Sequence, residues 1–178
     1  MNIEDIQKFD PQKMYQTYDD WPTYAKNALE KEFSKVQFKD VDHIVLAGMG
    51  GSGAIGDIIS AILSRENIHV SNVKGYLLPK TVDKRTLVIA TSISGNTKET
   101  LSILDYKSKS DAKFVAISSG GVMKEKCFNN SITHYDIPMI HSPRASFGAF
   151  LYSILNIFED VLPIKKTEVS QSLEKLDQ

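Results

Sequence analysis

From Asp42 onward, short apolar runs ("HIVLA", "NIHVSNV", "TLVIATS", "KFVAIS", "ITHYDI") alternate with helix-like segments ("AIGDIISAILS", "TKETLSILDYKS", "GVMKEKCF"). Runs this short and this rich in β-branched residues, separated by segments of helical length, predict strands joined by crossover helices. Crossovers make neighbouring strands parallel, and a parallel sheet needs cover on both faces. The expected fold is therefore an α/β sandwich around a parallel sheet of about five strands. At 178 residues and 42% hydrophobic content, the chain suits one such domain with terminal extensions and has no room for a second full domain.

Both ends read as helical. Residues 1–40 show helical spacing with polar breaks, and "DDWP" offers Asp20 as a cap and Pro22 in a first turn, with Trp21 and Tyr24 placed to dock this arm. Near the other end, "HSPRASFGAFLYSILNIFEDVLP" predicts one long helix capped by Ser142. Its apolar face would run from Phe147 through Phe150, Leu151, Ile154, Leu155 and Phe158 to Leu162, and Pro163 would end it. The tail 164–178 predicts a further helix, with Thr167 as cap and a narrow stripe of Val169, Leu173 and Leu176. The expected division is an arm (1–40), an α/β domain (41–163) and a linker helix (164–178).

Charge and composition exclude several classes. A formal net charge of −1 gives no overall positive field for nucleic acid or an anionic membrane, and the arm carries more carboxylates than lysines. The single Cys127 rules out an intrachain disulfide and a cysteine zinc cluster. No histidine pair has the helical i, i+4 spacing of a metal site, so no metal is expected. The apolar runs fall far below the ~20 residues needed to span a bilayer, and "MNIEDIQKFD" lacks a signal-peptide pattern. A cytoplasmic protein is the default expectation.

"GMGGSG", Gly48 to Gly53, joins the first strand to a helix and matches G-x-G-x-x-G. Such a turn aims backbone N–H groups at a phosphate, and glycine lets the phosphate approach. A dinucleotide site also expects an acid about 20 residues on, for the ribose hydroxyls. Here that position reads "HVSNVKG", without Asp or Glu. An NADP-like variant, a smaller phosphate ligand and a ligand-free turn all remain open, and Ser52 adds a hydroxyl where a phosphate would lie.

A second loop, "TSISGNTKET" from Thr91 to Thr100, also ends an apolar strand and opens a helix. Hydroxyls on Ser92, Ser94 and Thr97, with free amides around Gly95, can surround a phosphate dianion without lysine. In a parallel sheet both loops emerge at the carboxyl ends of their strands and can line one crevice. Two hydroxyl-rich loops fit a compact sugar phosphate better than an extended dinucleotide. Asn96-x-x-Glu99 reads as a capping-box variant.

Taken together, "GMGGSG", "SISGNT" and "SPRASFG" resemble the N-terminal half of the archaeal-type bifunctional phosphoglucose/phosphomannose isomerases, in the SIS (sugar isomerase) superfamily, over roughly Asp42 to Leu162. The resemblance implies a flavodoxin-like SIS domain that binds a phosphorylated hexose. The reaction implied is conversion of glucose 6-phosphate or mannose 6-phosphate to fructose 6-phosphate, without a redox cofactor. By position, Ser52, Ser92, Ser94 and Thr97 would bind the phosphate, Gly51 would contribute through its backbone, and Arg144 would sit beside the reacting carbons. There a fixed guanidinium stabilises an enediolate as its charge develops.

In that family the base, a glutamate, together with a ring-opening histidine and a lysine, comes from a second SIS domain and a dimer partner. The expectation for this chain alone is a fragment that binds phosphosugar without turnover. Apolar surface left by the absent domain would favour self-association through the Phe-rich helix. One rival is a self-sufficient single-domain isomerase such as a hexulose-phosphate isomerase, whose base would have to come from Glu159, Glu168 or Glu174. The other is a non-catalytic sugar-phosphate sensor, which would need a basic DNA-binding head. His141, three residues before Arg144, reads as a loop histidine; His43, His69 and His134 read as hydrogen-bonded or edge histidines, and Cys127 as a buried thiol.

Overall fold

The computed structural model describes residues 3–176; Met1, Asn2, Asp177 and Gln178, which fall in the expected arm and linker, lie outside the described residues. Three helices, α1 (Ile3–Phe9), α2 (Met14–Asp19) and α3 (Trp21–Glu30), precede strand β1 (His43–Ala47). Helix α4 (Gly50–Ile62), β2 (His69–Val73), β3 (Thr86–Ser92), α5 (Lys98–Leu104), β4 (Lys113–Ser118), α6 (Gly121–Asn129) and β5 (Thr133–Asp136) follow. Two helices, α7 (Phe147–Ile157) and α8 (Lys166–Leu176), complete the order. The five strands form one sheet in the order β2-β1-β3-β4-β5, and every pairing is parallel. The expected flavodoxin-like α/β sandwich is therefore present.

Strand periodicity divides the core. Ile44, Leu46, Leu87, Ile89, Val115 and Ile117 face one side, where they meet Ala25 and Ala28 of α3, Ile55 and Ile59 of α4, and Phe150 and Ile154 of α7. Their neighbours Val45, Ala47, Val88, Ala90, Phe114 and Ala116 face the other side, against α5 and α6. This is why β1 and β3 are buried along their whole length while the edge strands β2 and β5 are half-exposed. Phe150 and Phe158 are among the largest fully buried side chains, each contributing about 1.5–3 kcal/mol by burial.

Several local expectations need correction. The long helix is shorter than its sequence implies, because residues 140–146 are held as a turn. His141 adopts a left-handed φ of 55°, and the Ser146 hydroxyl accepts the Ile140 N–H at 2.8 Å. Ser142 consequently caps that turn, through Ala145 N–H at 3.3 Å, and not the helix. At the far end, Phe158 stops α7 and its carbonyl accepts both Val161 and Leu162 N–H groups, so Pro163 lies beyond a completed turn. Asp20 stands at the N-cap of α3 without a side-chain bond, and Thr167 lies inside α8. The apolar face of α7, expected between chains, is covered within this one by α3 and the sheet.

Asn156 ties α3 to α7. Its amide donates to the carbonyls of Ala28, Leu29 and Lys31 at 3.0, 2.8 and 2.9 Å, groups that lack helical partners at the end of α3. Lys35 bonds both the Asn156 side-chain oxygen and its backbone carbonyl, and pairs with Glu159 at 3.0 Å. Asn156→Leu leaves these carbonyls and Lys35 short of partners, so urea unfolding should register a loss of roughly 2–4 kcal/mol.

His43 is buried at the edge of the core, hydrogen-bonded to Ser71 at 3.0 Å and Thr86 at 3.3 Å, with the His69 ring 4.4 Å away. Burial first, and His69 second, hold its pKa below the ordinary histidine value. Burial lowers His134 in the same direction. The folded state thus takes up these protons less readily than the unfolded chain. Stability should be flat above about pH 7 and fall as pH drops through about 6.5 toward the folded value, with the full loss reached below it. Urea midpoints measured across that range should show this slope, and His43→Gln should flatten it.

Candidate functional site

The chain runs from β1 outward to β2 and then returns to β3 on β1's other side, so the loops leaving β1 and β3 open side by side at the carboxyl edge of the sheet. A cleft of about 430 Å³ lies there. Gly51, Ser52, Ser94 and Thr97 form its polar wall, Arg144 and Pro143 stand at its rim, and Trp21, Met49, Ile93 and Phe147 form its apolar wall. The structure therefore brings together Gly51, Ser52, Ser94, Thr97 and Arg144 from three separated stretches of sequence.

The glycines of the first loop divide into two kinds. A Cβ on Gly48 would lie 2.9 Å from the Ser52 backbone, and one on Gly53 would lie 2.9 Å from the Gly48 carbonyl oxygen. Those two glycines are needed simply to let the strand turn into the helix. Gly51 is different. It is exposed in the first turn of α4, and a Cβ there meets nothing within 4 Å. Its N–H belongs to the group that finds no partner within a helix's first turn.

Ser52, the next residue, is buried and its hydroxyl accepts the Ile93 N–H at 3.3 Å, which joins the two loops and leaves the hydroxyl proton free to donate. Ser94 is half-exposed and accepts the Asn96 N–H at 3.3 Å. Ser92 departs from expectation. It is only 1% exposed and stands behind the wall, sharing a 2.9 Å hydrogen bond with the Thr97 hydroxyl. Its hydroxyl pairs with Thr97 and does not itself line the cleft.

What holds the second loop in shape is a third, which sequence reasoning did not single out. Gly95 has a φ of +70°, and a Cβ on it would lie 2.0 Å from the Gly120 carbonyl oxygen. Gly121 reciprocates: at φ +62°, its Cβ would lie 2.7 Å from the Ser94 carbonyl oxygen. Ser119 donates to the Ile93 carbonyl from both its N–H and its hydroxyl, at 3.0 and 2.7 Å. Met123 N–H meets the Gly95 carbonyl at 2.9 Å, and Val122 N–H meets the Asn96 side chain at 3.1 Å. The signal was present as "SSGG" between an apolar run and a helix, but its partner lay elsewhere in the chain.

These contacts also correct the expected capping box. Asn96 turns toward Ser94 and Val122, and Glu99 accepts a hydrogen bond from Tyr76, which pushes the phenol pKa up. Glu99 neither caps α5 nor lines the cleft.

Arg144 lies in the 140–146 turn and not in a helical first turn; it is exposed and enters no ion pair among the described residues. Its neighbour His141 is exposed and does not line the cleft. His134 is hydrogen-bonded to Ser118 at 2.7 Å, and His69 to Ser71 at 3.2 Å. Burial pushes the Cys127 thiol up to about 11, so it stays protonated inside the α6 side of the core. Glu159 is held by Lys35 and Lys166 in a separate groove between α3, α7 and α8. Among the described residues no group of three potential metal ligands forms, and no helix is long and apolar enough to cross a membrane.

Comparison with known proteins agrees with this architecture. A family model described as SIS domain matches residues 37–156. The bifunctional phosphoglucose/phosphomannose isomerase of Caldicellulosiruptor bescii is 36% identical over 149 residues, covering 82% of this chain and 44% of that protein. The enzyme of the same name from Thermoplasma volcanium is 41% identical over 117 residues, covering 66% and 36%. The chain thus spans less than half the length of these curated relatives. Among solved structures, glucosamine-6-phosphate deaminase from Thermotoga maritima superposes with a TM-score of 0.65 at 18% identity, over 91% of this chain and 52% of that one, a likeness of fold. With its sheet order, its two hydroxyl-bearing loops and the matched span in agreement, the chain belongs to the SIS domain family.

Proposed function

We propose that the cleft binds a phosphorylated hexose and forms part of an aldose–ketose isomerase site acting on glucose 6-phosphate or mannose 6-phosphate and fructose 6-phosphate. The observation that carries this reading is the composition of the cleft. Neutral hydroxyl donors from Ser52, Ser94 and Thr97 and the open backbone at Gly51 face the same space as one guanidinium, Arg144. Neutral donors hold a phosphate dianion through directed hydrogen bonds. The guanidinium meets negative charge as it develops on the sugar oxygens when a C–H proton is removed. The names of the curated relatives support the same substrate class.

The wall contains no carboxylate, imidazole, ammonium or thiol among its lining residues, so no group there can carry the proton between carbons. In this reading the base comes from a second SIS domain and the ring-opening histidine reaches across from a paired copy, and the chain works in the cytoplasm as one half of that assembly. The tail 164–178 is the connection toward the second domain, and 41–163 is the phosphosugar-binding unit. Isomerisation keeps its electrons and protons within the substrate, so the proposed chemistry calls for no redox cofactor.

Calorimetric titration tests this directly. Fructose 6-phosphate should bind, fructose should bind at least tenfold more weakly, and Ser94→Ala and Thr97→Ala should each weaken the sugar phosphate by about 1–2 kcal/mol. A coupled isomerase assay on the same chain should show no turnover. Binding of NADP without binding of the sugar phosphate would overturn the assignment.

The glycines supply an independent check. Gly51→Ala introduces no contact within the chain and favours the helix by up to about 1 kcal/mol, so its melting temperature should hold or rise while sugar-phosphate binding is lost. Gly95→Ala should cost more than about 3 kcal/mol in unfolding experiments, because the new Cβ meets a backbone carbonyl at a left-handed φ.

A further inference from the structure

Arg144 has the most demanding position in the cleft and the least support of its own. It is exposed, it lies outside regular structure, and no ion pair among the described residues holds it. A guanidinium that holds the bound sugar's oxygens, and so is in place for the charge that develops on them, must be ordered before the reaction begins, and the cost of ordering it must be met elsewhere. The turn that carries it is closed from inside by Ser146, which is fully buried. Its hydroxyl accepts Ile140 N–H at 2.8 Å and lies 2.8 Å from the Ser142 carbonyl oxygen, to which it donates.

From the other side the turn is gripped by Trp21. The indole N–H donates to the Ala145 carbonyl at 2.7 Å, on the residue that directly follows Arg144. The ring stacks on Phe147 with centroids 6.0 Å apart and planes 24° from parallel, and Tyr18 meets its edge at 5.0 Å. Trp21, Arg144 and Phe147 line the same cleft as Ser94. A tryptophan serving only as a packing anchor would gain its stability from ring burial, and a directed N–H bond to the turn beside the guanidinium would be incidental.

We propose that Trp21 is a positioning residue that holds Arg144 for its role toward the bound sugar phosphate, so that the N-terminal segment sets the affinity of the cleft. The inference rests on the phosphosugar reading of that cleft. Trp21→Phe keeps an aromatic ring and removes the N–H. It should weaken fructose 6-phosphate about tenfold, whereas in an Arg144→Ala background the same change should weaken it less than twofold. Combined with Ser94→Ala, its effect should remain about tenfold, because Ser94 is held by other contacts.

The tenfold loss persisting in the Arg144→Ala background would overturn the proposal, since Trp21 would then act through its own contact or through folding. If the wild-type chain does not bind fructose 6-phosphate, the phosphosugar reading itself falls and this inference falls with it. A wild type that binds with an additive cycle removes only the positioning role.

Should Trp21→Phe unfold, the wild-type indole still gives a readout, because it is the sole tryptophan of the chain. Saturating fructose 6-phosphate should change its emission in the wild type, and Arg144→Ala at equal saturation should reduce that change at least twofold. An unaltered emission change would overturn the coupling.

Discussion

The carbonyl of Gly120 occupies the space that a side chain at residue 95 would need, and the polar wall of the cleft depends on that approach. Because Gly95 has no Cβ, the loop after β3 can lie against the loop after β4 and exchange hydrogen bonds with it along its length. Ser94 and Thr97 are therefore presented by a backbone anchored on both sides, and Ser92 steadies the Thr97 hydroxyl from behind. Rigid placement matters for neutral donors in particular. A hydroxyl attracts a dianion only through direction, whereas a lysine would attract it through charge at almost any angle.

Much of this was legible in the sequence, for identifiable reasons. Burial on both faces makes a strand a continuous apolar run, so the runs at His43, Thr86 and Lys113 announced a parallel sheet and its helices. The hydroxyls of Ser52, Ser94 and Thr97 were visible because a strand-to-helix turn has a local signature. Ser92 was misplaced by one layer, since its hydroxyl and that of Thr97 look alike until the turn decides which faces outward. The helix boundary before Phe147 was missed because Pro143 and Ser142 are good helix openers, and it is the local bonding of the Ser146 hydroxyl to Ile140 and Ser142 that diverts them into a turn. The Gly95–Gly120 contact and the Trp21–Ala145 bond join distant residues, so neither pairing could be read from a single local stretch.

The cleft separates two tasks that a single catalytic loop often combines. In the proposed reading its wall grips and orients, with hydroxyls at one side and a guanidinium at the other, while imidazole and carboxylate groups are used for structure elsewhere. His43 and His134 serve the sheet, and Glu159 anchors the junction of α3, α7 and α8. Trp21 of α3, stacked on Phe147 of α7, closes the remaining side, so the N-terminal region lines the cleft as well as covering the sheet.

The indole of Trp21 and the carbonyl of Ala145 are 124 positions apart in the chain. During synthesis, α3 leaves the ribosome early with its apolar side unmatched, and the surface that receives it does not exist until α7 has followed. The sheet between them can pair strand by strand in the meantime, but closure of the cleft is a late, long-range event. Until α7 has emerged, a nascent chain therefore has both glycine loops written while its aromatic wall stands open and the apolar side of α3 is uncovered.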